Sequence, residues 1–217
     1  MLALIPARNE GPRVADVVRR AAPHVRAVVV VVNGCTDDTE AQARAAGAHV
    51  LRSEPGYARA LAVGYRRLRG EAVVQLDADG QHPPEAIPSL ASALDGADIV
   101  IGSRFLAPGG YRVPPARRLG IAALSAWTTL LTGIRIRDVT SGFQALSPRA
   151  VAFFAEGFPE ELADANVLVR AWRAGLKVTE VPVTMTERSG GRSMHAGVRA
   201  ARHVGRVAAA AARERLR

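Results

Sequence analysis

Short, nearly unbroken runs of Val, Ile, Leu and Ala alternate along the chain with stretches in which apolar residues recur every three or four positions. The runs at 2–5, 28–32, 49–52, 72–77 and 98–103 read as β-strands, and their continuity predicts strands covered on both faces. Between them Val14, Val17, Val18 and Ala21 take the i, i+3, i+4, i+7 spacing of one helix face, and helices are predicted at 36–46, 58–69 and 84–93. Strands separated by helices of this length imply βαβ units, hence a parallel sheet with right-handed crossovers. The second half predicts a Pro/Gly-rich loop at 107–115, an amphipathic segment at 116–132 and a short strand at 135–139. A helix at 162–174, a strand at 177–183 and a polar loop at 186–194 follow.

Residues 195–213 read as a terminal helix. At 100° per residue His195, Arg199, Arg202, Arg206 and Arg213 fall in one sector of about 60°, with Ala201, Val204, Val207 and Ala208 largely opposite. Such a helix either packs its Ala/Val side on the domain or lies on an anionic membrane surface. The pattern as a whole predicts an α/β fold: a Rossmann-like, mostly parallel sheet flanked by helices, in a single domain over 1–194 with a basic helix over 195–217.

Composition adds exclusions. With 217 residues, 48% hydrophobic and 23% charged, the chain is an ordinary globular sequence, not a disordered or low-complexity one. The single cysteine, Cys35, excludes an intrachain disulfide and a cysteine zinc cage, and is compatible with a reducing compartment. No apolar run approaches the roughly 20 residues of a membrane-spanning helix. Pro6 interrupts the first apolar run and no basic residue precedes it, so a strand is expected there and not a secretion signal. The expected location is the cytoplasm, with peripheral contact at the inner membrane face as an option.

Charge narrows the picture. Lys and Arg total 29 against 20 Asp and Glu, a net +9, and from Arg188 onward there are eight arginines and one glutamate, so most of the excess is C-terminal. A polyanionic partner is one reading and solvated helix faces are the other.

The sharpest chemical signal is Asp77-Ala78-Asp79-Gly80-Gln81-His82-Pro83, where two carboxylates two residues apart end a buried strand. In open α/β sheets ligands bind beyond the carboxyl ends of the strands. Asp77, Asp79 and the amide oxygen of Gln81 offer hard oxygen ligands suited to Mg2+ or Mn2+, an ion that usually completes its shell with phosphate oxygens. The first strand runs into Pro6-Ala7-Arg8-Asn9-Glu10 and the second into Asn33-Gly34-Cys35-Thr36-Asp37-Asp38-Thr39, bringing further polar groups to the same edge.

Together with Gly102-Ser103-Arg104-Phe105 and Asp138-Val139-Thr140-Ser141-Gly142-Phe143, these segments resemble the GT-A glycosyltransferases of family 2, most closely the dolichyl/polyprenyl-phosphate sugar transferase branch, over about residues 2–195. The resemblance implies a GT-A fold and inverting transfer of a hexose from a GDP- or UDP-sugar. Asp77, Asp79 and Gln81 would hold the metal. Pro6, Arg8, Glu10, Asn33, Asp77, Ala78 and Asp79 would line the donor site, with Arg188 and Arg192 on a loop closing over it. Arg104, Arg117, Arg118 and Ser141 would bind the acceptor, and Asp77, Asp79, Arg104 and Asp164 form the catalytic set. Val32, Arg8 and Asn166 depart from the family pattern, which leaves the base and the acceptor open.

The implied acceptor is polyprenyl phosphate. A phosphate monoester is already largely ionised at neutral pH and needs no general base. The alternative, a hydroxyl acceptor, needs one, and Asp164 is the candidate. His82 offers a metal ligand, but His-Pro-Pro opening a helix reads equally as a capping and packing element, and His82 stays outside the expected metal set. A dehalogenase-like phosphatase would want Thr after its second Asp, and the only lysine is Lys177. A nucleic-acid binder lacks any reading motif, so no nucleic-acid partner is expected. The oligomeric state is open.

Overall fold

The computed structural model describes residues 1–106, 113–186 and 198–216. Seven strands form one sheet: β1 (Leu2–Ala7), β2 (Val28–Asn33), β3 (His49–Ser53), β4 (Val73–Gln75), β5 (Ile99–Ser103), β6 (Gln144–Leu146) and β7 (Val178–Pro182). Their order is β3-β2-β1-β4-β6-β5-β7. All neighbours run parallel except β6, which is antiparallel to β4 and β5.

The apolar runs dictate the layering. β1, β2, β4 and β5 are buried along their whole length, because helices cover both faces. On one face α1 (Gly11–Ala21), α2 (Thr39–Ala45) and α4 (Ile87–Ser92) bury Val14, Val17, Ala43, Ile87 and Leu90 against Ile5, Val30 and Val100. On the other, α3 (Tyr57–Arg67), α5 (Pro115–Thr132), α6 (Pro148–Glu156), α7 (Ala165–Arg173) and α8 (Val198–Leu216) bury Leu61, Leu124, Phe154, Leu168 and Val207 against Leu4, Val31 and Ile101.

The fold class expected from the pattern is therefore the observed one, with two local corrections. Residues 135–139 form no strand: Ile136 and Val139 are buried as anchors of an irregular segment. The antiparallel strand is instead Gln144–Leu146, whose three residues are too few to show a period. Helix α6 has no counterpart among the expected elements, although the Ser147 side chain accepts a hydrogen bond from Ala150 N and Pro148 stands at its first position.

The expected boundary at 194/195 lies outside the described residues, as do Arg188 and Arg192. Helix α8 packs on α5 and α7: the Trp127 Nε1 donates to the Ala208 carbonyl at 3.1 Å, and Val207 and Ala211 are buried. Of the two readings of this helix, its Ala/Val side does pack on the domain.

Topology now positions the site. From β1 the chain proceeds outward to β2 and β3, then returns to the opposite side of β1 as β4, so the strand order reverses between β1 and β4. A crevice opens beyond the carboxyl ends at such a switch point. Because β6 is antiparallel, the segment that precedes it, 138–143, also reaches this edge.

Candidate active site

The loops after β1 and β2 are stitched to each other. Asn9, in a left-handed conformation at φ 53°, accepts from Thr36 N at 2.9 Å. Asn33 Nδ2 donates to the Ala7 carbonyl at 2.9 Å while its Oδ1 accepts from Gly56 N, and Glu10 N donates to Thr39 Oγ1 at 2.8 Å. Asp37 accepts from Gly11 N, Thr39 N and Thr39 Oγ1. Burial opposes ionisation of Asp37, yet these donors bring its pKa below the ordinary carboxylate value. Of the expected donor residues, Asn33 and Glu10 are thus buried with polar groups engaged inside the protein, Pro6 is buried in β1, and Arg8 is exposed at the strand end.

The Asp77–Gln81 turn stands across the switch point. Gly80 takes φ 80°, and Asp79 Oδ1 accepts from Gln81 N at 3.0 Å, so the turn fixes one carboxylate oxygen. Thr186 clamps the turn from beyond β7: its N donates to the Gln81 carbonyl, its Oγ1 to the Gly80 carbonyl, and its own carbonyl accepts from Gln81 Nε2. The Gln81 amide oxygen accepts no hydrogen bond among the described residues. Ala78 is buried between the two carboxylates.

Asp77 is positioned by residues that carried no signal in the sequence. The Tyr57 hydroxyl donates to Asp77 Oδ1 at 3.1 Å and accepts from Gln75 Nε2 at 3.1 Å. Desolvation of the phenol, followed by the charge of Asp77, raises the Tyr57 pKa well above its ordinary value, so it remains a donor. His82 accepts from Asp77 N through Nδ1 at 2.9 Å and stacks on Phe143 with centroids 5.2 Å apart. The packing reading of His82 fits these contacts.

The 138–143 segment reads residue by residue. Asp138 receives Arg104 through Nε at 2.7 Å and Nη2 at 2.6 Å, with Arg104 N at 3.0 Å, and Nη2 also donates to Thr140. Ser141 Oγ donates to the Gly102 carbonyl at 2.7 Å. At Gly142 a Cβ would meet the Tyr57 hydroxyl oxygen at 2.8 Å and Asp77 Oδ1 at 3.4 Å, so only glycine lets this backbone lie against the site. Arg104 and Ser141, expected at the acceptor, here bind protein groups, and Arg104 retains its Nη1 hydrogens. Arg117 and Arg118 lie on the first turn of α5, with Arg118 exposed and no ion-pair partner for either among the described residues. Ser103 Oγ is buried with no partner among the described residues.

Asp164 stands before α7, close enough for its charge to act on Tyr57. Its Oδ2 meets His203 Nε2 of α8 at 2.9 Å, and this hydrogen bond, against desolvation, raises the histidine pKa. A terminal-helix residue thus reaches the site's border, a contact no sequence pattern announces.

The donor chemistry of the turn fits a divalent ion: two carboxylates and one amide oxygen, all hard ligands. Among the described residues no group of three His, Cys, Asp or Glu side chains could hold a metal by itself. An ion here would complete its shell from a phosphate-bearing substrate and water.

Residues 3–150 match the family profile described as Glycosyl transferase family 2. Polyprenol monophosphomannose synthase of Mycolicibacterium smegmatis is 34% identical over 215 residues, covering 90% of this chain and 81% of that protein. Undecaprenyl-phosphate mannosyltransferase of Micrococcus luteus is 34% identical over 218 residues, covering 91% and 88%. Among solved structures, glucosyl-3-phosphoglycerate synthase from Mycobacterium tuberculosis in complex with Mn2+, UDP and phosphoglyceric acid superposes with a TM-score of 0.71 at 22% identity, covering 99% of this chain and 78% of that one. This places the fold among GT-A structures.

Proposed function

We propose, from the premise that this chain belongs to glycosyl transferase family 2 and is a glycosyltransferase, that it moves a hexose from a nucleoside-diphosphate sugar to a polyprenyl phosphate with inversion. The observation that carries this reading is the Asp77–Gln81 turn, which brings two carboxylates and an amide oxygen together beyond the carboxyl end of β4, at the switch point of the sheet. The names of the relatives, polyprenyl-phosphate mannosyltransferases, support the acceptor class and favour mannose.

Asp77, Asp79 and Gln81 would hold a Mg2+ or Mn2+ ion. When bound, it supplies positive charge to the diphosphate as that group leaves. Tyr57 and the Asp77–His82 backbone contact keep the Asp77 carboxylate aimed at the crevice, and Thr186 keeps the turn closed. Arg8, exposed beyond β1, would meet donor phosphate, while Glu10 and Asn33 would shape the pocket through the backbone they hold. Arg104, fixed by Asp138, would present its remaining Nη1 donors to the acceptor phosphate, with Arg117 and Arg118 nearby in sequence as further anion ligands. Arg188 and Arg192 complete the proposed donor set.

An acceptor phosphate oxygen forms the new bond to the anomeric carbon. The bond from that carbon to the diphosphate oxygen breaks, and its electron pair leaves with the nucleoside diphosphate. No proton need move, because the acceptor is already ionised. The Asp164–His203 contact fits this economy: Asp164 Oδ2 is already engaged by the His203 ring at 2.9 Å, so Asp164 serves better as a structural anchor than as the base a hydroxyl acceptor would require.

The test follows nucleoside diphosphate release from GDP-mannose and UDP-glucose, each with Mg2+, with and without polyprenyl phosphate. Release that requires polyprenyl phosphate supports the reading. Equal turnover with a sugar or glycerate hydroxyl acceptor, abolished by Asp164→Asn, would replace it.

A further inference from the structure

Four large apolar side chains are exposed among the described residues: Tyr57 at the site, and Leu119, Leu130 and Leu216 at 73%, 74% and 86%. Leu119 and Leu130 stand eleven residues apart on α5, three helical turns, and so share one face, with exposed Ala123 and Ala126 between them. That face points away from the core residues Ile121, Leu124 and Thr128. Leu216 belongs to α8, which lies along α5 through the Trp127 to Ala208 hydrogen bond and through Val204 packed at Gly120.

On α8 the exposed surface continues as Gly205 and Ala209 and then turns basic. Arg202, Arg206 and Arg213 line an open groove of about 520 Å³ whose other walls include Leu162 and Glu161. No ion pair is made by these three arginines among the described residues, whereas Arg20, Arg26, Arg44, Arg52, Arg66 and Arg69 all sit on carboxylates. At a rise of about 1.5 Å per residue the guanidiniums are spread along roughly 16 Å of helix, too far apart for one phosphate and suited to a row of them.

We infer that the exposed α5–α8 face docks on an anionic bilayer, with Leu119, Leu130 and Leu216 entering the acyl boundary and Arg202, Arg206 and Arg213 taking headgroup phosphates. Isolated leucines on a small-residue surface offer no pocket for a shaped partner, but they suit a fluid apolar phase bordered by negative charge. Guanidiniums bind phosphate oxygens bidentately, and three unpaired ones with a single facing carboxylate leave net positive charge to be neutralised. The docking stands apart from the acceptor assignment: vesicle binding needs neither donor nor acceptor, and transfer to a short, water-soluble prenyl phosphate needs no vesicle.

The test is cosedimentation of the full chain with phosphatidylglycerol/phosphatidylcholine vesicles and with pure phosphatidylcholine vesicles, at low and high salt. Arg202→Glu/Arg206→Glu/Arg213→Glu and Leu119→Gln/Leu130→Gln are compared, with circular dichroism as the folding control. The expected result is binding to anionic vesicles at least about tenfold stronger than to neutral ones. The arginine variant should lose that preference, and the leucine variant should lose the binding that survives high salt. Equal binding to both vesicle types, no binding, or full binding by both folded variants would overturn it. So would inorganic phosphate occupying the groove without vesicle binding, or a dimer in light scattering that the leucine variant dissolves.

Discussion

Asp77 and Asp138 are both carboxylates at the same edge of the sheet, and the protein treats them oppositely. Asp138 is fully buried, received by Arg104 in a two-pronged pair, and further fixed by Glu180, which accepts from Asp138 N at 2.8 Å. The Asp77 side chain is 34% exposed, and the nearest basic group among the described residues, His82 Nε2, is 3.8 Å away. The protein neutralises Asp138 from within and leaves Asp77 to be neutralised from outside. Under the proposed function, the carboxylate whose charge is already met is scaffold, and the one whose charge is not met is where a cation or a cation-bridged substrate would bind.

The sharpest way to break this contrast is Asp138→Asn. It leaves the Arg104 guanidinium buried without its counter-charge, so a loss of about 3–5 kcal/mol is expected, read as a melting temperature lower by about 10 °C. A thermal shift under about 2 °C would show that the pair is not structural. Asp79→Ala should do the reverse: turnover falls by about 100-fold or more, while melting stays nearly unchanged. Wild-type turnover at saturating metal would remove the carboxylate turn from the mechanism.

Tyr57→Phe probes how much the aim of Asp77 matters. It deletes the hydroxyl that joins Asp77 to Gln75 and should lower kcat several-fold, on the order of 1 kcal/mol, with a small effect on folding.

The smallest effect is the pH dependence of the Asp164–His203 contact. The folded-state pKa of His203 lies above its unfolded value near about 6.5, so the stabilisation is complete below that value and is lost as pH rises through the folded pKa. Wild type should therefore gain melting temperature on going from alkaline to mildly acidic buffer relative to His203→Ala. Parallel curves for the two proteins would exclude this contribution.

How much of this was legible in the sequence differs by region. The strands β1, β2 and β5 and the Asp77–Gln81 turn were readable, because a buried parallel strand is a continuous apolar run and a polar turn ends it abruptly. The strand expected at 135–139 was misplaced, because Ile136 and Val139 are buried as loop anchors and burial alone mimics a strand. Arg104 shows a different limit: its neighbourhood with Asp138 depends on an antiparallel strand three residues long that brings residues 34 positions apart together. Tyr57 and His203 reach the site only through tertiary packing, so no local pattern could announce them.

The proposed function requires that the turn bearing Asp77 and Asp79 receive the donor diphosphate through a divalent ion. Calorimetric titration of GDP into the wild-type protein and into Asp77→Asn/Asp79→Asn, each with and without Mn2+, tests it most directly. Wild type is expected to bind GDP more strongly with Mn2+ than without it, and the folded double variant to show no Mn2+ effect. Mn2+-enhanced binding of equal strength in both proteins would contradict it.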